Sequence, residues 1–261
     1  SPDIRNLTGT ALITLGGCLH RMWTKPHPYF EPRMWTYRHL VPILLVMIAV
    51  EGLLASEHVL EEIFYEEVMD YEMLTSRTLC LWALPGIWAG CLLSWLWLKH
   101  WRFNVYKLIA IGLIGVTIYA GCFHFLVADY INIELMRFPI ICRGFGYTVI
   151  SISLMWSLHH IMSFEHFFQS LSVFNFMHMY IGGVIGCALY AWGIRYYMAD
   201  NISRYTAYLD MTAFSSAPFD IGLWMEGFVE SMMAVTIKQL YGWVLYICGF
   251  FAIGFLLWDI P

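Results

Sequence analysis

FPIICRGFGYTVISISLMWSL, residues 138–158, is an apolar run with a permanently charged Arg143 set beside Gly144 and Gly146. About 20 mostly apolar residues in a helix cross the roughly 30 Å hydrocarbon layer of a bilayer, and this run has that length. An ionised side chain at the centre of such a span costs at least about 2.5–3.5 kcal/mol, so it faces the protein interior or water and has a partner. The reading therefore predicts a helix that crosses lipid, turns Arg143 inward and lets another helix approach at its glycines. Counting from a boundary near Met136 at about 1.5 Å per residue puts Arg143 roughly 10 Å deep, in the outer third.

The rest of the chain is of the same kind. Hydrophobic residues make up 60% of it, aromatics 18% and charged residues 13%, against about 25% charged in soluble domains. The apolar residues fall in blocks, which predicts an all-α membrane protein of about seven transmembrane helices: 6–23 (short and marginal), 38–57, 77–98, 107–128, 136–160, 167–197 and 238–259. The first 36 residues read as the end of an upstream span plus a linker rich in proline, and 37–261 as a six-helix bundle. The opening SPDIRN has no initiator Met and no signal-peptide pattern, which suggests a piece of a longer membrane protein. Seven cysteines stand singly inside apolar blocks and read as small apolar residues, not disulfide partners.

Basic residues set the predicted orientation. Arg21, Lys25, Arg33 and Arg38 lie before the second block, and Lys99, Arg102 and Lys107 lie between the third and fourth, so both connectors belong on the cytoplasmic side. The stretch 57–72 holds Glu57, Glu61, Glu62, Glu66, Glu67, Asp70 and Glu72 and is expected outside. Asp129 to Glu134 and a long loop from Met198 to Ile237 follow it there, while His159 to His166 and the C-terminus at Asp259 to Pro261 fall inside. The net charge of −5 carries no nucleic-acid footprint.

Four residues stand out as transport or gating candidates. Glu51 is the one acidic residue read as well inside a span, and depth counting places it level with Arg143, so the two are expected to pair or to line one outward-facing cavity. The alternative is a Glu51 solvated at the interface beside Glu57. In the sixth block, Gln169, Asn175 and His178 are polar, and His178 falls near the midplane, where an imidazole can exchange protons. It can equally serve as a single interhelical hydrogen-bond donor. Pro139, Gly144, Gly146, Gly182, Gly183 and Gly186, with Gly86, Gly90, Gly112 and Gly115, are expected at close helix contacts, because small residues let backbones approach in lipid. His159, His160 and His166 raise the thought of a haem or metal site, but no CxxCH or HExxH accompanies them; no cofactor or metal is expected. Trp82, Trp88, Trp95 and Trp97 read as interface anchors. There is no phosphate loop, nucleophile elbow or catalytic carboxylate pair, so no enzymatic activity is expected.

The order of these features resembles the fourteen-helix drug:proton antiporter branch of the major facilitator superfamily. The Pro139, Arg143, Gly144 and Gly146 unit resembles one span of that family, and FFQSLSVFNFMHMYIGGVIGCAL (residues 167–189) resembles the next, with Asn175, Gly182, Gly183 and Gly186 in matching places. HPYFEPRMWTYRHL and TIKQLYGWVLYICGFFAIGFLLW resemble the lead-in and last helix. The resemblance covers nearly the whole chain and implies the C-terminal half of a major facilitator-type bundle in the inner membrane. It further implies proton-coupled efflux of small amphipathic compounds, with lipid, protons, substrate and an N-terminal half as partners. His178 or Met179 stands where the family has an arginine, and LKHWRFNVYK departs from its basic loop. A helical scaffold or subunit of a larger complex is the alternative, and a membrane electron carrier the third.

Overall fold

The computed structural model describes residues 39–101, 104–128, 131–206 and 221–257, together with 9–10, 12–14, 16–18, 20–21, 24, 35 and 37. Among these residues the secondary structure is helical and no strand occurs. Among the described residues six helices are long and apolar enough to cross a membrane: α1 (Leu40–Val68), α2 (Leu74–His100), α3 (Val105–Leu126), α4 (Ile133–Ile161), α5 (Phe164–Thr206) and α6 (Trp224–Leu257). The expected span at 6–23 lies only partly among the described residues, as does the linker to residue 36. The basic positions Lys25, Arg33, Arg38 and Arg102, and Asp129 and Asp259 to Pro261, lie outside them.

Two expected loops are largely helix. The acidic stretch from Glu57 continues α1 through two π-helical turns, Glu57–Glu61 and Phe64–Val68. Its apolar side chains explain why: Leu60, Phe64 and Val68 are buried, so the segment is amphipathic and its hydrophobic side outweighs its charge. Likewise α5 runs on to Thr206 and the last helix starts at Ile221. Only 207–220 of the predicted long outer loop lies outside the described residues.

α3 packs between α4 and α6; α4 also takes α2 and α1; α1 lies against α5, and α5 against α6. The five helices α1, α4, α3, α6 and α5 thus form a closed ring, with α2 attached to the outside of α4. Burial agrees, since the apolar window is 56% buried in α3 and in α4 and 22% in α2. Trp88 and Trp95 of α2 point outward, as lipid-facing anchors do.

The glycines account for the tight contacts. A Cβ at Gly146 would fall 2.6 Å from the Gly112 carbonyl oxygen, so α3 and α4 touch backbone to backbone. A Cβ at Gly86 would fall onto the carbonyl of Ile141, and one at Gly144 onto that of Ala83, joining α2 to α4. Gly182 and Gly186 pack on Glu51, Gly52 and Ala55 of α1, whereas Gly183 faces open space and plays no packing part. Pro139 is the seventh residue of α4 and is buried, and the helix continues through it.

Connector contacts define two sides. Tyr71 OH donates to the Ile131 carbonyl (3.5 Å), bringing the α1–α2 and α3–α4 connectors together. At the other end, Tyr37 OH donates to Ser163 Oγ (3.4 Å), bringing the lead-in of α1 to the α4–α5 connector.

Candidate functional site

Arg143 is 4% exposed and has two carboxylate partners, both from α1. Its Nη1 donates to Glu61 Oε1 (2.5 Å) and its Nη2 to Glu57 Oε1 (2.9 Å). The expected Glu51 partner is thereby replaced. Extending α1 beyond residue 57 carries Glu57 and Glu61 down one helix face, four residues apart, where both reach the same guanidinium. Its planar fork of donors suits such paired acceptors.

Around this trio lies a shell of hydroxyls. Tyr119 OH of α3 donates to Glu61 Oε1 (2.6 Å) and sits 3.2 Å from both Ser56 Oγ of α1 and Tyr241 OH of α6. A phenol has one proton to give; with that proton on Glu61, Ser56 and Tyr241 are the donors to the Tyr119 oxygen. Arg143 also lies over the Tyr119 ring, 5.8 Å from its centroid, and Phe123 stacks on Tyr241 at 4.8 Å. The network therefore ties α1, α3, α4 and α6 together at one level. That level is about 10 Å in from the α1–α2 side, since Glu61 is seven residues from the end of α1 and Tyr119 seven from the end of α3.

Nearer the middle of the bundle, Glu51 of α1 meets His178 of α5. Glu51 Oε2 and His178 Nδ1 are 3.6 Å apart. That is ion-pair range if the ring is protonated but too long for a hydrogen bond, and both atoms are buried without a hydrogen-bond partner among the described residues. His178 lies in the π-helical turn Met177–Gly182, as Glu57 and Glu61 lie in one, and such turns recur at functional sites because they rotate side chains out of regular register. Tyr147 of α4 is within electrostatic reach of Glu51. Asn175 is exposed and turned away from this pair. Of the four candidates, then, Glu51 and His178 come together, Arg143 belongs to a separate cluster, and Asn175 joins neither.

Sequence reading missed Glu57, Glu61, Tyr119 and Tyr241. The signal available was the spacing of Leu60, Phe64 and Val68, which continues the apolar face of the preceding helix through the acidic stretch.

Two cavities flank these groups. An apolar groove of about 740 Å³ is bounded by α1, α3, α5 and α6, with Leu53, Leu113, Tyr190, Trp243 and Phe251 on its walls. A polar one of about 530 Å³, on the α1–α2 side, carries Glu66, Glu67, Asp70, Glu226 and Glu230. The chain matches no family model and no curated protein sequence.

Proposed function

We propose that this chain is the C-terminal half of a major facilitator-type secondary transporter, exporting small amphipathic compounds against proton entry across the inner membrane, with its C-terminus cytoplasmic. The observation that carries the reading is the pairing of helices in two triplets. α1–α3 and α4–α6 exchange places in the contact pattern: α1 on α5 matches α4 on α2, and α3 on α4 has a smaller counterpart where α6 meets the Phe64–Val68 turn of α1, while α3 on α6 and α1 on α4 map onto themselves. The α5–α6 contact alone lacks a counterpart among the extensive ones. Three spans is an odd number, so the second triplet enters the membrane from the opposite side to the first. Inverted triplets of this kind underlie many secondary transporters, whose binding sites lie near the midplane.

Glu51 and His178 occupy that depth and are the groups assigned to proton or substrate contact. An unsatisfied carboxylate oxygen facing an unsatisfied imidazole nitrogen binds and releases one proton with little rearrangement. The five carboxylates of the polar cavity favour a cationic head, and the apolar groove an accompanying hydrophobic body. Arg143, Glu57 and Glu61 brace the bundle on its outer side.

The test is movement of a lipophilic cationic dye in vesicles holding the intact transporter. A proton gradient is expected to drive it, and Glu51→Gln or His178→Ala to slow it at least about tenfold with normal insertion. Dye flux indifferent to the gradient would instead favour a helical scaffold. Undiminished flux in both variants would remove the pair from the mechanism.

A further inference from the structure

The Arg143 cluster is unbalanced in two respects. It places two carboxylates against one guanidinium, a net charge of −1 if all three are ionised, and Glu61 is 2% exposed. Moreover, all the donors that reach Glu61 converge on one of its oxygens. Oε1 accepts from Arg143 and Tyr119, whereas Oε2 is buried with no hydrogen-bond partner among the described residues. The hydroxyl of Tyr65, four residues along α1 and 2% exposed, is also buried without one. A buried carboxylate oxygen bearing half a charge and no donor is costly, and an unsatisfied buried polar atom calls for a specific explanation.

We propose that Glu61 is a reversible proton-binding group whose proton sits on Oε2. One proton from the aqueous phase, entering on the side of the partly exposed Glu57, forms an O–H bond at Oε2. No other bond is made or broken, and the trio passes from a net charge of −1 to zero. On release the proton returns to water and both carboxylates compete for Arg143. The charged and titratable groups that face Glu61 among the described residues fit this assignment: Glu57 and Tyr65 on α1, Cys80 on α2, Tyr119 on α3, Arg143 on α4 and Tyr241 on α6. Tyr190, the nearest such group on α5, donates to the Leu53 carbonyl at 2.8 Å and is satisfied there. Arg143 is the only cation among them, so its charge offsets a single carboxylate. The proposal is separate from the Glu51–His178 pair and does not require that the chain transport anything.

Infrared difference spectroscopy of the intact protein in lipid nanodiscs, between acidic and alkaline buffer, reads the protonated carboxyl stretch directly. A reversible component of that band is expected that Glu61→Gln removes and Glu57→Gln retains, with its midpoint moved to lower pH because a neighbouring negative charge has gone. Should Glu61→Gln fail to insert, the Glu57→Gln midpoint decides by itself. No carboxyl band in the wild type, a band whose intensity Glu61→Gln leaves undiminished, or a Glu61-dependent component whose midpoint is unmoved in Glu57→Gln would each overturn the proposal.

Discussion

Arg143 shows how a single charge is accommodated inside an apolar bundle. Its two carboxylates accept from Nη1 and Nη2, and the Tyr119 ring lies against its face. A buried ion pair contributes little net stability compared with a well-packed apolar substitute, yet removing one partner strands the others at about 3–5 kcal/mol. R143L is thus expected to lower unfolding stability in detergent by about that amount. The triple variant R143L/E57Q/E61Q should recover part of the loss, because no carboxylate is then left buried without its cation. A triple variant less stable than R143L, measured by denaturant unfolding, would show that the trio is favourable as a unit. Tyr119→Phe probes the hydroxyl shell: it removes the bond to the charged Glu61 acceptor, which alone should cost about 1.5–3 kcal/mol by the same measurement, and it leaves Ser56 and Tyr241 without their acceptor.

At the scale of elements, the glycines decide which helices touch. Adding one methyl at Gly86 sets it against the Ile141 backbone, which cannot swing aside as a side chain can. Gly183 has nothing within 4 Å. G86A is accordingly expected to cost about 1–3 kcal/mol, and G183A to be neutral or slightly stabilising, since alanine favours helix over glycine by up to about 1 kcal/mol. Thermal melts of the two variants side by side check the contrast; equal effects would mean that α2 does not pack on α4 as described. The π turns belong to this scale too. They occur where α1 and α5 carry Glu57, Glu61 and His178, so the same departures from regular helix place both polar groups.

For the whole molecule, the connector contacts predict sidedness. Ser163 should be reachable from one face of the membrane and Asn132 from the other, because Tyr37 bonds Ser163 at one end of α1 and Tyr71 bonds Ile131, the residue before Asn132, at the other. Single cysteines at these positions, in a background without the seven native ones, are expected to react with an impermeant thiol reagent from opposite sides. Labelling of both from the same side would break the six-span topology. The ring of five helices, with α2 outside it, leaves the outer faces of α2 and α5 rich in exposed aromatic and aliphatic side chains such as Trp88, Trp95, Val184 and Tyr196, suited to lipid.

Length and apolarity were legible without coordinates, because a span must satisfy its backbone internally and hide it in hydrocarbon, and that requirement is written locally as a run of apolar residues. Hence the helical membrane class, the inward-facing Arg143 and the close contacts at Gly146 and Gly186 were all readable. Helix ends were less so, since a count of charges at Glu57 to Glu72 says loop while the spacing of Leu60, Phe64 and Val68 says helix. The partner of Arg143 was not readable at all. Depth matched it to Glu51, but two helices at equal depth meet only if their rotation about their own axes brings the side chains face to face. That rotation is set by packing: α1, turned by Gly182 and Gly186 against its far side, presents Glu51 to His178 and leaves Glu57 and Glu61 for the arginine.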